Sequence, residues 1–219
     1  YSGKFVENDA VALGLFQQNY GILTTFGAVG NFAHNVVLEE QSNFTFGVNV
    51  GYFKNGINNS KVISNYPDPI LETIPSNSYV VLNPGINYGF GFIDFGMSVN
   101  NLFLYNLKSS EFIKKNAEQS VEIHLMHTGY LGGDGFLKRS RFTGLAKAEL
   151  KKEKTVLSAN AMLSVPKGIW AQLGYNNLYG ISGGIGLNIS SSIALEYNYE
   201  RGMGNFSNFG ASHEIVLAY

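Results

Sequence analysis

The sequence predicts an all-β chain: an antiparallel transmembrane β-barrel with about twelve strands visible. Three observations predict it. Apolar and polar residues alternate with period two from end to end, and helical periodicity is nearly absent. Several alternating runs reach ten residues or more. Ten residues at about 3.3 Å each, tilted about 45°, cover roughly 23 Å, close to the apolar band of an outer-membrane barrel. Strands of soluble sandwiches average nearer about five or six residues. The polar positions are mostly Gly, Asn and Ser, as an open or loosely filled lumen needs. A soluble core would put packing side chains there.

Composition supports the same reading. Of the 219 residues only 14% are charged, against roughly 25% in soluble domains, while 26 are glycine and 14% are aromatic. The net charge of −1 gives no broad electrostatic case for nucleic acid as a partner. No apolar run approaches the roughly 18 residues of a transmembrane helix. The absence of cysteine removes disulfides, thiolate chemistry and cysteine zinc sites together. No cationic, apolar leader opens the chain, so Tyr1 reads as the start of a processed or truncated form.

Taken in order, strands are expected over 9–17, 22–36, 43–54, 78–90, 93–104, 120–131, 141–150, 154–164, 168–176, 178–189, 192–201 and 208–219. In the third, Phe44, Phe46, Val48, Val50 and Tyr52 share a face opposite Thr45, Gly47, Asn49 and Gly51. Ile86, Tyr88 and Phe90 oppose Asn87 and Gly89. After a tight turn at Gly91-Phe92, Ile93, Phe95, Met97 and Val99 stand against Asp94, Gly96, Ser98 and Asn100. Ile181, Ile185, Leu187 and Ile189 stand against Gly180, Ser182, Gly184, Gly186 and Asn188. In "SSIALEYNYER", Ile193, Leu195, Tyr197 and Tyr199 are expected to face lipid, with Glu196 and Asn198 in the lumen. Leu195→Arg, placed near mid-bilayer, should then cost about 2–4 kcal/mol. The last strand sets Ile215, Leu217 and Tyr219 on one face and ends on an aromatic, as outer-membrane barrels do.

Loop lengths orient the strands. The long connections 55–77 and 105–119 are expected outside, and the short turns at 91–92, 165–167 and 190 in the periplasm. Both termini then lie in the periplasm, and 130–141 becomes a rather long periplasmic turn.

The polar residues point to lining, not chemistry. Asp94, Glu122, Glu196, Asn198, Glu200 and Glu214 fall on the lumen-facing side, where the carboxylates are expected to pair with Lys147 or Arg201. His213-Glu214 opens a zinc-like motif, but no second histidine follows and adjacent strand residues face opposite ways. The same parity separates Ser212 from His213 and His124 from His127; Glu122 and His124 do share a face. "GGDG" and "GISGGIG" lack the Gly-Lys-Ser/Thr ending of a phosphate loop. No catalytic residue, cofactor or metal is therefore expected. A basic cluster at Lys138, Arg139, Arg141, Lys147, Lys151, Lys152 and Lys154 reads as a solvated turn region, with lipopolysaccharide phosphates or a partner as the second reading.

Several stretches resemble one family. The chain ends Gly210-Ala211-Ser212-His213-Glu214-Ile215-Val216-Leu217-Ala218-Tyr219, after a Tyr-rich strand and a short Ser/Asn loop. Upstream stand "NYPDPIL" (65–71), "GMSVNNL" (96–102) and "GIWAQLGYNNLYGISGGIGLNIS" (168–190). These resemble the PorP/SprF family of the type IX secretion system, with Gly210, Ser212, His213, Glu214, Ile215, Leu217 and Tyr219 as the matching end motif. Gln172 and Asn176-Asn177 depart from the family's commonest pattern, and its usual N-terminal segment of one or two strands is missing, so the resemblance implies about fourteen strands in a complete protein. The resemblance implies a single outer-membrane barrel domain over 1–219. It also implies a role in secreting or surface-anchoring cargo such as gliding adhesins, through a cargo C-terminal domain or translocon subunits. Outer-membrane lipid and lipopolysaccharide are the other expected partners. The alternative is a porin or small-solute transporter.

Overall fold

A computed structural model describes residues 2–20, 23–57, 77–113, 119–132, 135, 137–190 and 193–218. The strands are β1 (Ser2–Val6), β2 (Asp9–Tyr20), β3 (Leu23–Glu39), β4 (Ser42–Ile57) and β5 (Asn77–Phe90). Then come β6 (Ile93–Asn100), β7 (Phe103–Asn106), β8 (Glu111–Phe112), β9 (Ser120–Tyr130) and β10 (Arg141–Lys151). The last are β11 (Thr155–Ser164), β12 (Ile169–Asn176), β13 (Gly180–Asn188), β14 (Ala194–Arg201) and β15 (Ala211–Ala218). All belong to one antiparallel sheet whose path runs from β1 through β6, on through β9, and ends at β15; β7 leaves that path to pair with β5 and β8. Apart from a 3-10 turn at Gly204–Phe209, no helix interrupts it among the described residues.

Each of the twelve expected strands is present, and β1 and the β7–β8 hairpin are additional. The expected strand 93–104 is broken. Asn101 takes a left-handed φ of 54°, its N–H donates to Asn83 Oδ1 at 2.6 Å, and the Leu102 N–H donates to the Leu82 carbonyl at 3.0 Å. The chain then resumes against β5 as β7. Short-chain Asn tolerates the left-handed region better than most side chains, which is why the kink falls there.

Among the described residues only Val81 and Val156 are buried apolar side chains, while large apolar side chains on almost every strand are exposed. A soluble sandwich of this length would bury a two-sided core. Here one face of the sheet is apolar and uncovered.

The chain forms two compact units, residues 1–87 with 98–121, and residues 88–97 with 122–219. In the first, strand register sorts side chains into rungs. On the apolar face the rung Asp9–His34–Phe46 is followed by Val11–Phe32–Val48, Leu13–Gly30–Val50 and Leu15–Ala28–Tyr52, then Gln17–Phe26–Lys54. Asp9 Oδ1 and His34 Nδ1 are 2.6 Å apart, with the Phe46 ring 5.3 Å from the imidazole. Polar groups thus bracket three apolar rungs. The eight residue-to-residue steps from Asp9 to Gln17 span about 26 Å of strand, or about 20 Å of depth at a barrel's usual tilt.

The opposite face of this unit is built from amides and rings. Asn49 Nδ2 donates to Asn31 Oδ1 at 2.6 Å, Asn83 Nδ2 donates to Asn49 Oδ1 at 3.0 Å, and Asn83 Oδ1 holds the Asn101 N–H at the kink. Asn83→Ala removes two links of this ladder and should cost about 1–3 kcal/mol, read as a lower denaturation midpoint at unchanged slope. A cost below about 0.3 kcal/mol would mean that the ladder contributes nothing. Beside it, the Phe16 and Phe53 rings lie 6.0 Å apart, Phe16 across Gly27 and Phe53 across Gly51.

Candidate functional site

In the second unit the polar face carries several groups of hydrogen-bonded side chains. Two-residue periodicity turns Trp170, Gln172, Gly174 and Asn176 of β12 to one side, and Ile169, Ala171, Leu173 and Tyr175, all exposed, to the other. Gln172 Nε2 donates to Asn198 Oδ1 at 3.1 Å, and Asn198 Nδ2 donates to Glu196 Oε1 at 2.6 Å. Asn176 Nδ2 donates to Ser158 Oγ at 2.7 Å. Lys147 Nζ reaches Glu122 Oε2 at 3.0 Å, both side chains partly exposed. A small hollow of about 250 Å³ lies among Ser158, Asn160, Asn176, Ser182 and Glu200.

Glycine on the facing strands makes room for this layer. A Cβ at Gly184 would meet Asn198 Oδ1 and Gln172, one at Gly174 would meet Asn160 and Ser182, and one at Gly186 would meet the Trp170 ring. The glycines were expected to suit an open or loosely filled lumen, and at these three the space beside the backbone is taken by side chains of neighbouring strands.

The apolar face carries two adjoining rungs, Phe142–Leu163–Ala171–Ile185–Tyr197–Ile215 and Gly144–Ala161–Leu173–Gly183–Tyr199–His213. On β14, Leu195 and Tyr197 are exposed, while Glu196, Asn198 and Tyr199, and Ile193 just before the strand, are half-buried. Tyr197 Oη and His213 Nδ1 are 2.7 Å apart, and the Tyr199 ring meets the imidazole edge-on at 5.3 Å.

The structure places the sequence-predicted residues as follows. Asp94, Glu122, Glu196 and Asn198 are half-buried, and Glu200 and Glu214 are exposed; strand parity puts all six on the polar face. Glu122 finds Lys147, but Arg201 follows Tyr199 in parity, stands on the apolar face, and makes no ion pair with those carboxylates. In the end motif, Gly210 has φ 77°, Ser212 is opposite Glu200, His213 opposite Tyr199, and Glu214 opposite Asn198. Ile215 and Leu217 are 75% and 70% exposed; Tyr219 and the stretch 65–71 lie outside the described residues. Sequence reasoning missed Gln172, the Trp170 seat and the Tyr197–His213 contact, because each needs the cross-strand register.

Chemically, this face offers amides and hydroxyls that can hydrogen-bond a polypeptide or sugar, together with carboxylates, of which Glu122 pairs with Lys147 and Glu149 with Lys151 while Glu200 and Glu214 are exposed. The Lys147–Glu122 pair itself is weak. Lys147→Ala should cost about 0–1 kcal/mol at low salt, shrinking further in about 1 M salt; a loss that salt leaves untouched would contradict a solvent-screened pair.

The sequence profile of a family described as type IX secretion system membrane protein PorP/SprF matches residues 1–219. No curated protein matches the chain.

Proposed function

The chain belongs to the PorP/SprF family of type IX secretion system membrane proteins, and from that membership we propose that it takes part in secretion or surface anchoring of cargo proteins. PorP/SprF proteins are outer-membrane β-barrels, and the all-β sheet with its uncovered apolar face fits that setting. In this reading the whole chain is one barrel domain, the apolar face meets lipid, and Asp94, Glu122, Glu196, Asn198, Glu200 and Glu214 line the lumen. Its C-terminus lies in the periplasm. The barrel binds a cargo C-terminal domain or translocon subunits.

The observation that carries the proposal beyond the family is the polar face. Its amides and hydroxyls bond to one another and to Glu196, beside glycines that leave them room. Such a wall presents hydrogen-bonding edges that a polypeptide can use. The test is a gentle detergent extraction from cells that express cargo, with co-purifying chains identified by mass spectrometry. Recovery of a large surface protein through its C-terminal domain, or of translocon subunits, is the expected result. A solitary barrel that conducts in a planar bilayer would move the assignment to the porin alternative.

A further inference from the structure

On the apolar face of the 122–219 unit, small residues fall next to one another on neighbouring strands. Ala161 is opposite Leu173, Ala171 opposite Ile185, and Gly183 opposite both Leu173 and Tyr199. The result is a groove of about 570 Å³ that these three residues floor, walled by Phe142, Leu173 and Ile185 among others. This lies within the roughly 300–1,000 Å³ range of sites that hold a small ligand. A lipid-facing barrel wall has no reason of stability to hollow itself across three adjoining strands, β11 to β13, because bulky Leu, Ile and Val would serve equally there.

What stands beside the groove is polar. Tyr197 and Tyr199 line it, and Tyr197 holds His213. One rung further along the strands, about 7 Å away, the same face carries Tyr175, Ile181 and Arg201. Arg201 is exposed, and among the described residues no ion pair engages it. As the last residue of β14, Arg201 stands at the interface end of the strand, where a guanidinium is tolerated and forks naturally onto phosphate.

We propose that this groove, with Arg201, His213 and the two tyrosines at its polar end, is a binding site for a phosphate-bearing acylated lipid of the membrane. An acyl chain lies along Ala161, Ala171 and Gly183, and the phosphate meets Arg201. The site rests on the apolar face meeting lipid, as in the proposed function, and is independent of cargo recognition.

The experiment is native mass spectrometry of the detergent-extracted whole chain, exchanged with equal amounts of lipid A and phosphatidylethanolamine. A Cβ at Gly183 meets only Leu173 Cδ2 at 3.5 Å and the Gln172 carbonyl at 3.8 Å, so Gly183→Phe fills the groove without a backbone clash. Wild type should keep one lipid, with lipid A favoured. Gly183→Phe should lower retention of both lipids about tenfold; Arg201→Gln should abolish the preference for lipid A while leaving acyl binding. Heat-modifiable migration on a gel reports whether each variant folds, and Ala161→Leu replaces Gly183→Phe if that variant does not. Equal retention in wild type and the filled groove overturns the site. So does a retained mass that proves to be an acylated polypeptide rather than free lipid. Loss of cargo in the pull-down with lipid retention intact would count against the secretion reading alone.

Discussion

Leu13→Arg should lower the unfolding free energy in lipid by about 2–4 kcal/mol, whereas Gln18→Arg on the same strand should stay within about 0.5 kcal/mol. Leu13 is 65% exposed and occupies the middle rung between the Asp9–His34–Phe46 and Gln17–Phe26–Lys54 rungs. A guanidinium there lies at the greatest depth, where the side chain reaches neither interface easily. Gln18 belongs to the opposite face, opposite Thr25, where a charge remains in water. Leu195, placed near mid-bilayer by the sequence alone, is only the second residue of β14. Its arginine variant should therefore cost nearer the roughly 0–1 kcal/mol of an interfacial position. Denaturant unfolding in vesicles ranks the three; equal cost at Leu13 and Gln18 would contradict the assignment of faces.

Gly186→Val should cost about 1–3 kcal/mol and change the protein's native fluorescence. A Cβ at this position meets the Trp170 indole at Cε2, Cζ2 and Nε1, so the ring has to swing off the strand. Trp170 is the chain's sole tryptophan, which makes the native emission maximum a direct report of the seat. In a Trp170→Ala background the same valine should cost far less, because the side chain it displaces is gone. Additive costs with unaltered emission would show that the ring does not depend on the glycine.

Much of this arrangement was legible in the sequence. The twelve strands, their faces and the turn at Gly91-Phe92 follow from alternation alone, because a strand's parity is a local property. β1 escaped because five residues carry too little alternation to read, and β8 is a two-residue strand. The break at Asn101 escaped because the partner that holds it, Asn83, is 18 positions away. The carboxylates were expected to pair with Lys147 or Arg201, and Glu122 does pair with Lys147. Arg201 was misassigned, since parity places it with Tyr197 and Tyr199. Trp170 over Gly186 was beyond reach for a different reason: it depends on which residue of β13 stands opposite β12.

The glycine seats also decide how this wall can drift over generations. At Gly186 any side chain collides with the Trp170 ring already lying there, so purifying selection should hold it whether or not anything ever binds the polar face. At Gly174 and Gly184 the atoms met are mostly the ends of Asn160, Ser182, Asn198 and Gln172, which can turn aside. Invariance at Gly186 among descendants would report carpentry. Gly183 and Gly56 are different, since a methyl group at the first makes ordinary contacts and at the second meets nothing within 4 Å. Sterics leave both free to vary. If lineages nonetheless keep glycine at 183, the constraint has to come from something outside the chain that needs the space.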